Sequence, residues 1–436
     1  MIYARLRTVV RGNSFIRSAG ALVSASVVGQ LILLAATPLV TRLYSPLDFG
    51  LLALFTGIFG GVLVTSSLRY ELAIPLARSD RDAFALLMLA LLINGVFAAV
   101  TAAAVFFWGE TLSRALNSPA LVGVLWVLPI SLLGAGSYKA FRLWAVRRHD
   151  FDAIARTKIT QSAANAVSQI SFGIAGLGAP GLAIGHFLGM TAGLYRLARG
   201  VDRAFWRCGR AQSLRMRVLA KRYSRFPKYD VTAAFVDAMS VQLPNLLLAV
   251  LFNPAVAGHY LLADRMLGAP FSLLSQSIGQ VLYARSRRAV EDGQLAVLTA
   301  KVFIGLATVM VVPTIVVFLA SESLFTFAFG EAWREAGVFA GWLVVGLFGQ
   351  FLFSSISLVL MATGAQSINL ALHLTMLCAR SVALGYGYAV ESALVAVIAL
   401  SLANFLGYLG AAAVVLWHAR NHDARNAVYS VDRGTS

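Results

Sequence analysis

The sequence predicts an all-α integral membrane fold of twelve transmembrane helices, arranged as two parallel six-helix lobes, and three observations carry that prediction. Of the 436 residues, 59% are hydrophobic and 13% charged, against roughly a quarter charged in a soluble domain. Apolar runs of membrane-spanning length recur to the end of the chain and leave no stretch polar enough to clothe a soluble domain. A short motif also recurs at equivalent places. Leu43-Tyr44-Ser45-Pro46, three residues and Gly50 follow the first run, and Leu251-Phe252-Asn253-Pro254, three residues and Gly258 follow the seventh.

A helix needs about 20 apolar residues to cross a hydrocarbon layer of about 30 Å. Stretches without Asp, Glu, Lys or Arg supply one span each at 18–41, 49–68, 83–109, 115–138, 266–284, 302–321 and 392–419. Two runs are too long for one helix. Run 159–195 is interrupted by Gly176, Gly178, Pro180 and Gly181, which predicts a hairpin of two helices, and run 336–379 breaks near Thr363 and Gly364. The remaining span, 231–252, carries Asp237 and closes on Asn253 and Pro254. The expected division is an N-terminal lobe at 1–197, a basic linker at 198–229, a C-terminal lobe at 230–419 and a tail at 420–436.

Cationic loops resist translocation, so Lys and Arg set the orientation. With the N-terminus inside, the inside segments collect Arg5, Arg7, Arg11 and Arg17, then Arg69, Arg78, Arg81 and the sets at 139–158 and 196–228. They also collect Arg285, Arg287, Arg288, Lys301, Arg420, Arg425 and Arg433. Outside loops receive Arg42, Arg114 and Arg334. Both termini are therefore expected in the cytoplasm, with the first apolar run an uncleaved helix. The inside loop from Arg196 to Tyr229, which includes the linker, holds eleven Lys or Arg against one acid, Asp202. It is a topogenic signal, with anionic membrane lipids as the partner in a functional reading.

Composition and motifs exclude several classes of chemistry. Cys208 and Cys378 lie in a basic loop and an apolar run, which excludes a disulfide framework and a CxxC knuckle. The net charge of +17 is distributed among short connections, with no separate basic domain for nucleic acid. None of the lysines (139, 158, 221, 228 and 301) follows a glycine, so there is no Walker A loop, and no G-x-S-x-G elbow occurs. His418 and His422 are spaced i, i+4 but lack the HExxH glutamate, and no metal or cofactor is expected.

Polar groups inside spans are the informative residues, because a central charge costs about 2.5–3.5 kcal/mol and tends to face protein or water. They form stripes at helical spacing. Helix eight aligns Arg265, Ser272, Gln276 and Tyr283, and helix one aligns Ser26, Gln30, Thr37 and Thr41. Helix seven aligns Asp237, Ser240, Pro244 and Asn245; helix eleven Asn369, His373 and Arg380; helix five Gln161, Asn165 and Ser168. The structural alternative is mutual bonding in a tight bundle, with Asp264 or Asp237 neutralising Arg265 or Arg380. Gly181, Gly185, Gly189 and Gly193 on helix six form a GxxxG ladder that reads as packing. Amides, hydroxyls and a guanidinium suit an anionic, hydroxyl-rich ligand, since Arg pairs phosphate bidentately. The candidate substrate-binding residues are Gln30, Arg69, Asp237, Asn245, Arg265, Ser272, Gln276, His373 and Arg380.

Thr41-Arg42-Leu43-Tyr44-Ser45-Pro46 with Phe49-Gly50, followed by 68–75 (Leu-Arg-Tyr-Glu-Leu-Ala-Ile-Pro), resembles the opening of Wzx-type polysaccharide and O-antigen flippases. These belong to the multidrug/oligosaccharidyl-lipid/polysaccharide exporter (MOP) superfamily. The likeness extends through Trp144, Arg147, Phe151, Ile154 and Ala155 after helix four and Ala362-Thr363-Gly364 after helix ten. The resemblance implies a bacterial inner-membrane protein with two six-helix lobes around a central cavity lined by helices one, two, seven and eight. It implies a polyprenyl-diphosphate-linked oligosaccharide moved from the cytoplasmic to the periplasmic leaflet by alternating access, and no catalytic residue. A glycan polymerase or export machinery is the further expected partner. The alternatives are a multidrug or small-molecule exporter of the same superfamily and a membrane glycan polymerase or ligase. The short outer connections argue against the latter.

Overall fold

The computed structural model describes residues 2–202, 210–363 and 365–434, excepting the side chains of 2–19, 210–211, 287, 362, 366–367, 369–370 and 425–434. Cys208, Gly364 and the side chains of Arg5, Arg7, Arg11, Arg17, Arg287, Asn369, Arg425 and Arg433 thus lie outside the described residues. Among the described residues there is no strand, and every predicted helix has a counterpart. They are α1 (Ile2–Leu43), α2 (Pro46–Thr65), α3 (Asp80–Ala115), α4 (Val127–Arg147), α5 (Phe151–Ile174) and α6 (Gly178–Thr191). After the linker come α7 (Val231–Leu251), α8 (Pro254–Glu291), α9 (Leu295–Phe329), α10 (Arg334–Ile356), α11 (Gln366–Ala389) and α12 (Ala393–Gly434).

Among the described residues, seven helices are long and apolar enough by themselves to cross a membrane: α1 from Gly20, α2, α3, α7, α9, α10 and α12. The segment Pro119–Leu125 with α4, bent by 42°, adds an eighth if the pair forms one span. The other four fall short for physical reasons. α6 has 14 residues, and α5, α8 and α11 carry the polar stripes noted above.

The helix breaks follow from local chemistry. At the first copy of the repeated motif, the Ser45 hydroxyl accepts from Asp48 N (3.2 Å) while the Asp48 carboxylate accepts from Ser45 N (2.9 Å). Pro46 takes the first helical position, where its missing N–H costs nothing. The hairpin break between α5 and α6 turns on Gly176 at φ 72°, which lets Leu177 N–H return to the Phe172 carbonyl at 3.1 Å. α10 is followed by a short helix, Leu358–Ala362, and Thr363 then ends the run. The Thr363 hydroxyl pairs with His418 Nε2 at 2.9 Å.

The chain divides into two compact units, Met1–Ala255 and Val256–Ser436, so α7 belongs by its contacts to the first. There α7 packs along α2, whose Gly57, Gly60 and Gly61 admit Leu246, Gln242 and Met239. In the first unit, the residues of the motif that follows the fourth predicted helix are structural anchors. Trp144 is buried and meets Phe84 edge-on at 6.2 Å, and Arg147 donates to Ala77 O (2.7 Å) and Asp80 Oδ1 (3.0 Å). The linker contains a helix, Arg210–Arg222, that docks on α3. Leu219 enters the core around Trp144, the Tyr70 hydroxyl donates to Ala220 O (3.0 Å), and Arg215 lies 3.6 Å from Asp82.

In the second unit, α9, α10 and α12 pack mutually and α11 packs on α12. Its core gathers Leu282, Phe353, Ile356, Val359, Leu360, Tyr408 and Val415. The Asp423 carboxylate caps the start of α9, accepting from Leu295 N (3.2 Å) and Ala296 N (2.8 Å). A carboxylate there meets the positive end of the helix dipole.

Candidate functional site

The nine candidate residues fall in both units, and each is placed by its own neighbours. In the first unit, Arg69 has left-handed backbone (φ 63°), directly after Leu68 at φ 48°. This turn between α2 and α3 brings its guanidinium 3.8 Å from Asp230, and its Nε is buried without a hydrogen-bond acceptor. Asn245 is buried on α7; its amide donates to Gln242 Oε1 at 3.4 Å while its own oxygen has no partner. Asp237 is exposed two turns earlier.

Gln30 is half-buried on α1. The hydroxyls sharing its stripe are satisfied within the helix, Ser26 by Leu22 O (2.9 Å), Thr37 by Leu33 O (2.7 Å) and Thr41 by Pro38 O (3.1 Å). Such back-bonding spends the hydroxyl hydrogens on the helix itself. The α5 stripe serves packing. Gln161 donates to Met190 O at 2.8 Å, the Ser168 hydroxyl reaches Gly185 O at 3.4 Å, and Gly185 and Gly189 lie against Gln169 and Asn165.

In the second unit Arg380 is buried and fully engaged. Its Nε donates to Asn404 Oδ1 (2.8 Å), a terminal nitrogen donates to the Tyr408 hydroxyl (2.7 Å), and its charge lies 5.9 Å from the Tyr408 ring centre. Tyr260 and Asp264 on α8 lie within its electrostatic reach. Among the predicted arginine–acid pairings, Asp264 with Arg380 is one whose charges act on each other.

Arg265 is half-buried and makes no hydrogen bond or ion pair among the described residues. Ser272 is exposed and bonds Ala269 O (2.8 Å), Gln276 is exposed a turn beyond, and His373 is half-buried on α11. The structure thus brings Arg380 to Asn404 and Tyr408, and leaves Arg265 at the head of an open face of α8.

Sequence reasoning passed over a closely enclosed ion pair. Glu71, only 1% exposed, accepts from the Ser67 hydroxyl and lies 3.2 Å from Lys139 Nζ, which also donates to Leu63 O at 3.4 Å. The signal was present, since Glu71 sits within the 68–75 motif between apolar neighbours. The first repeat motif also carries a buried phenol. Tyr44 donates to Gln169 O at 2.8 Å, and burial, with the Asp48 carboxylate adding to it, pushes that phenol up to about 12.

Comparison with known proteins bears on these arrangements. The family described as polysaccharide biosynthesis protein matches residues 39–338, and no curated protein matches the chain. Among solved structures, the lipid II flippase MurJ in an inward closed conformation aligns at TM-score 0.70 and 12% identity, over 96% of this chain and 93% of that one. An inward-facing multidrug resistance MATE family transporter of the MOP superfamily aligns at TM-score 0.69 and 16% identity, over 91% and 95%. A MOP superfamily transporter from Pyrococcus furiosus, described by the reverse polarity of its binding pocket, aligns at TM-score 0.52 and 14% identity, over 93% and 95%. At these identities the likeness is one of fold. The fold is that of the MOP-superfamily transporters, and the match over more than half its length shows that the chain belongs to the polysaccharide biosynthesis protein family.

Proposed function

We propose that this protein is a flippase for a polyprenyl-diphosphate-linked oligosaccharide, the repeat unit of an O-antigen, capsule or exopolysaccharide. It carries this substrate from the cytoplasmic to the periplasmic leaflet of a bacterial inner membrane by alternating access. The observation that carries the reading is the family match over residues 39–338 on a chain whose fold aligns over 96% of its length with a lipid II flippase. In this reading the chain crosses the membrane twelve times with both termini cytoplasmic, as lobes 1–197 and 230–419. Arg265 addresses the phosphates or acidic sugars, and Gln30, Asn245, Ser272 and Gln276 address hydroxyls. No covalent bond is made or broken, so no residue has a catalytic role.

The likeness to a multidrug resistance transporter favours a second reading, export of small molecules. Removing the gene separates them. A flippase loss depletes surface glycan and accumulates the lipid-linked unit in the inner leaflet with unchanged drug susceptibility. A drug exporter gives the opposite pair of results, which would end the flippase reading.

A further inference from the structure

Most half-buried cations of the first unit have a carboxylate: Arg69 has Asp230 (3.8 Å), Lys139 has Glu71 (3.2 Å) and Arg147 has Asp80 (2.9 Å). Arg142 on α4 and Lys158 on α5 do not. Both are half-buried, neither forms an ion pair among the described residues, and the Arg142 Nε is buried with no acceptor at all. They are also close enough for the charge of Arg142 to act on Lys158.

The two helices are stitched together beside them. The Tyr138 and Thr157 hydroxyls pair at 2.8 Å, and the Thr157 hydroxyl also bonds Ile154 O at 2.7 Å. Tyr138 lies one turn before Arg142, and Thr157 adjoins Lys158. Of the acids around the α4–α5 connection, Asp80 pairs with Arg147 and Arg148, Asp150 caps Ala153 N, and Asp152 is exposed and forms no ion pair with either cation among the described residues. Arg142 precedes the end of α4 by roughly 8 Å and Lys158 follows the start of α5 by roughly 10 Å, at 1.5 Å per residue. With Tyr138 and Thr157 bonded across the two helices, the two charges lie within about a turn of one another along them, near the α4–α5 connection.

Holding two like charges together away from bulk water is unfavourable unless a counter-charge lies between them. The pair differs in a useful way, since a guanidinium offers a planar fork to two oxygens and an ammonium offers a mobile point charge. That combination fits a multiply charged phosphate better than a single carboxylate. We propose that Arg142 and Lys158 form an anion site for a diphosphate or phosphate ester, and, resting on the flippase reading, that it holds the diphosphate of the lipid-linked substrate.

Full-length protein in detergent is titrated with inorganic pyrophosphate, and with sulfate at matched ionic strength, while thermal unfolding is followed. The expected result is a saturable rise in Tm with pyrophosphate that sulfate does not match. Arg142→Gln and Lys158→Gln should each weaken the apparent affinity at least tenfold, and Arg142→Lys less. Without anion, the Lys158→Gln protein should unfold at or above the parent Tm, because removing one of two unpaired like charges relieves repulsion. A merely structural role predicts a lower Tm instead, and that result, or a pyrophosphate response intact in both Gln variants, overturns the site.

In nanodiscs, polyprenyl diphosphate is expected to compete with pyrophosphate. Competition by phosphatidylglycerol alone would reassign the site to bulk lipid and overturn the substrate assignment. The flippase reading fails separately. Pyrophosphate binding with surface glycan unaffected by gene removal would leave the anion site standing and end that reading. Glycan lost on gene removal with no pyrophosphate binding would do the reverse.

Discussion

Gly50 and Pro254 meet backbone to backbone: a Cβ placed on Gly50 would fall 1.7 Å from the Pro254 carbonyl oxygen. Gly50 closes the first copy of the repeated motif and Pro254 belongs to the second, so part of what the repeat encodes is a contact between its own copies. Gly50→Ala should therefore lower stability by about 3 kcal/mol, the upper part of the range for overpacking, because a backbone carbonyl cannot swing aside. Gly95→Ala, where nothing lies within 4 Å, should leave Tm equal or slightly higher. Thermal unfolding of the two purified variants checks the contrast, and equal effects would contradict the close approach.

Removing Lys139 should damage the protein more than removing its pair outright. Lys139→Met leaves Glu71 buried without its counter-charge, a loss on the order of 3–5 kcal/mol. Adding Glu71→Gln should recover most of it. A double variant no better than the single one would show that Lys139 contributes packing rather than charge.

Arg265 and Arg380 should separate in a cell-based assay. Arg380→Ala strands Asn404 and the Tyr408 hydroxyl, so protein abundance should fall. Arg265→Ala strands nothing among the described residues, so abundance should hold while surface glycan disappears, with partial return in Arg265→Lys. Normal glycan in Arg265→Ala at normal abundance would remove Arg265 from the substrate site.

Stability should fall in mild acid through His259, two turns before the apolar run of α8. The ring is buried edge-on to Trp333 (5.7 Å) and Phe339 (6.4 Å), and burial pushes its pKa from 6.5 down to about 4 although Glu335 lies 3.3 Å away. Folding favours the neutral ring. Its stabilising share is therefore complete above pH 6.5 and is lost as pH falls from 6.5 towards 4, on the order of 3 kcal/mol in all. Denaturation between pH 7 and 4 should show this slope in the parent and a flatter one in His259→Gln.

Reporter fusions test the membrane topology. Fusions at Asp48, Asn117, Asn253 and Glu331 should report the periplasm, and those at Asp80, Asp150, Gln212 and Asp292 the cytoplasm. One reversed neighbouring pair would change the number of crossings.

What the sequence disclosed depended on the range of the cause. The α5–α6 hairpin was legible because Gly176 and Gly178 impose it within a few residues. The break at Thr363 was legible for a similar reason. The role of the glycine ladder could be read from spacing, and the structure sets Gly185 and Gly189 against the amides of α5. Partners distant in sequence were not legible. Asn404 and Tyr408 follow Arg380 by 24 and 28 residues on the next helix, and nothing local marks them. The polar stripes suggested water-lined faces, yet Ser26, Thr37 and Thr41 spend their hydroxyls on their own helix, an outcome that periodicity alone does not distinguish.

The reach of Arg147 bears on how the chain is made. Its guanidinium closes the connection between α2 and α3 by bonding Ala77 O, 70 residues earlier in the sequence. At the usual 5–20 residues per second, Arg147 is synthesised roughly 4–14 s after the backbone it secures. Until α4 has left the ribosome that connection lacks this contact and rests on its own turns and on α3. The connection between α2 and α3 therefore gains this contact late, from the fourth helix, and a ribosome stalled before Arg147 would display an N-terminal segment that still lacks it.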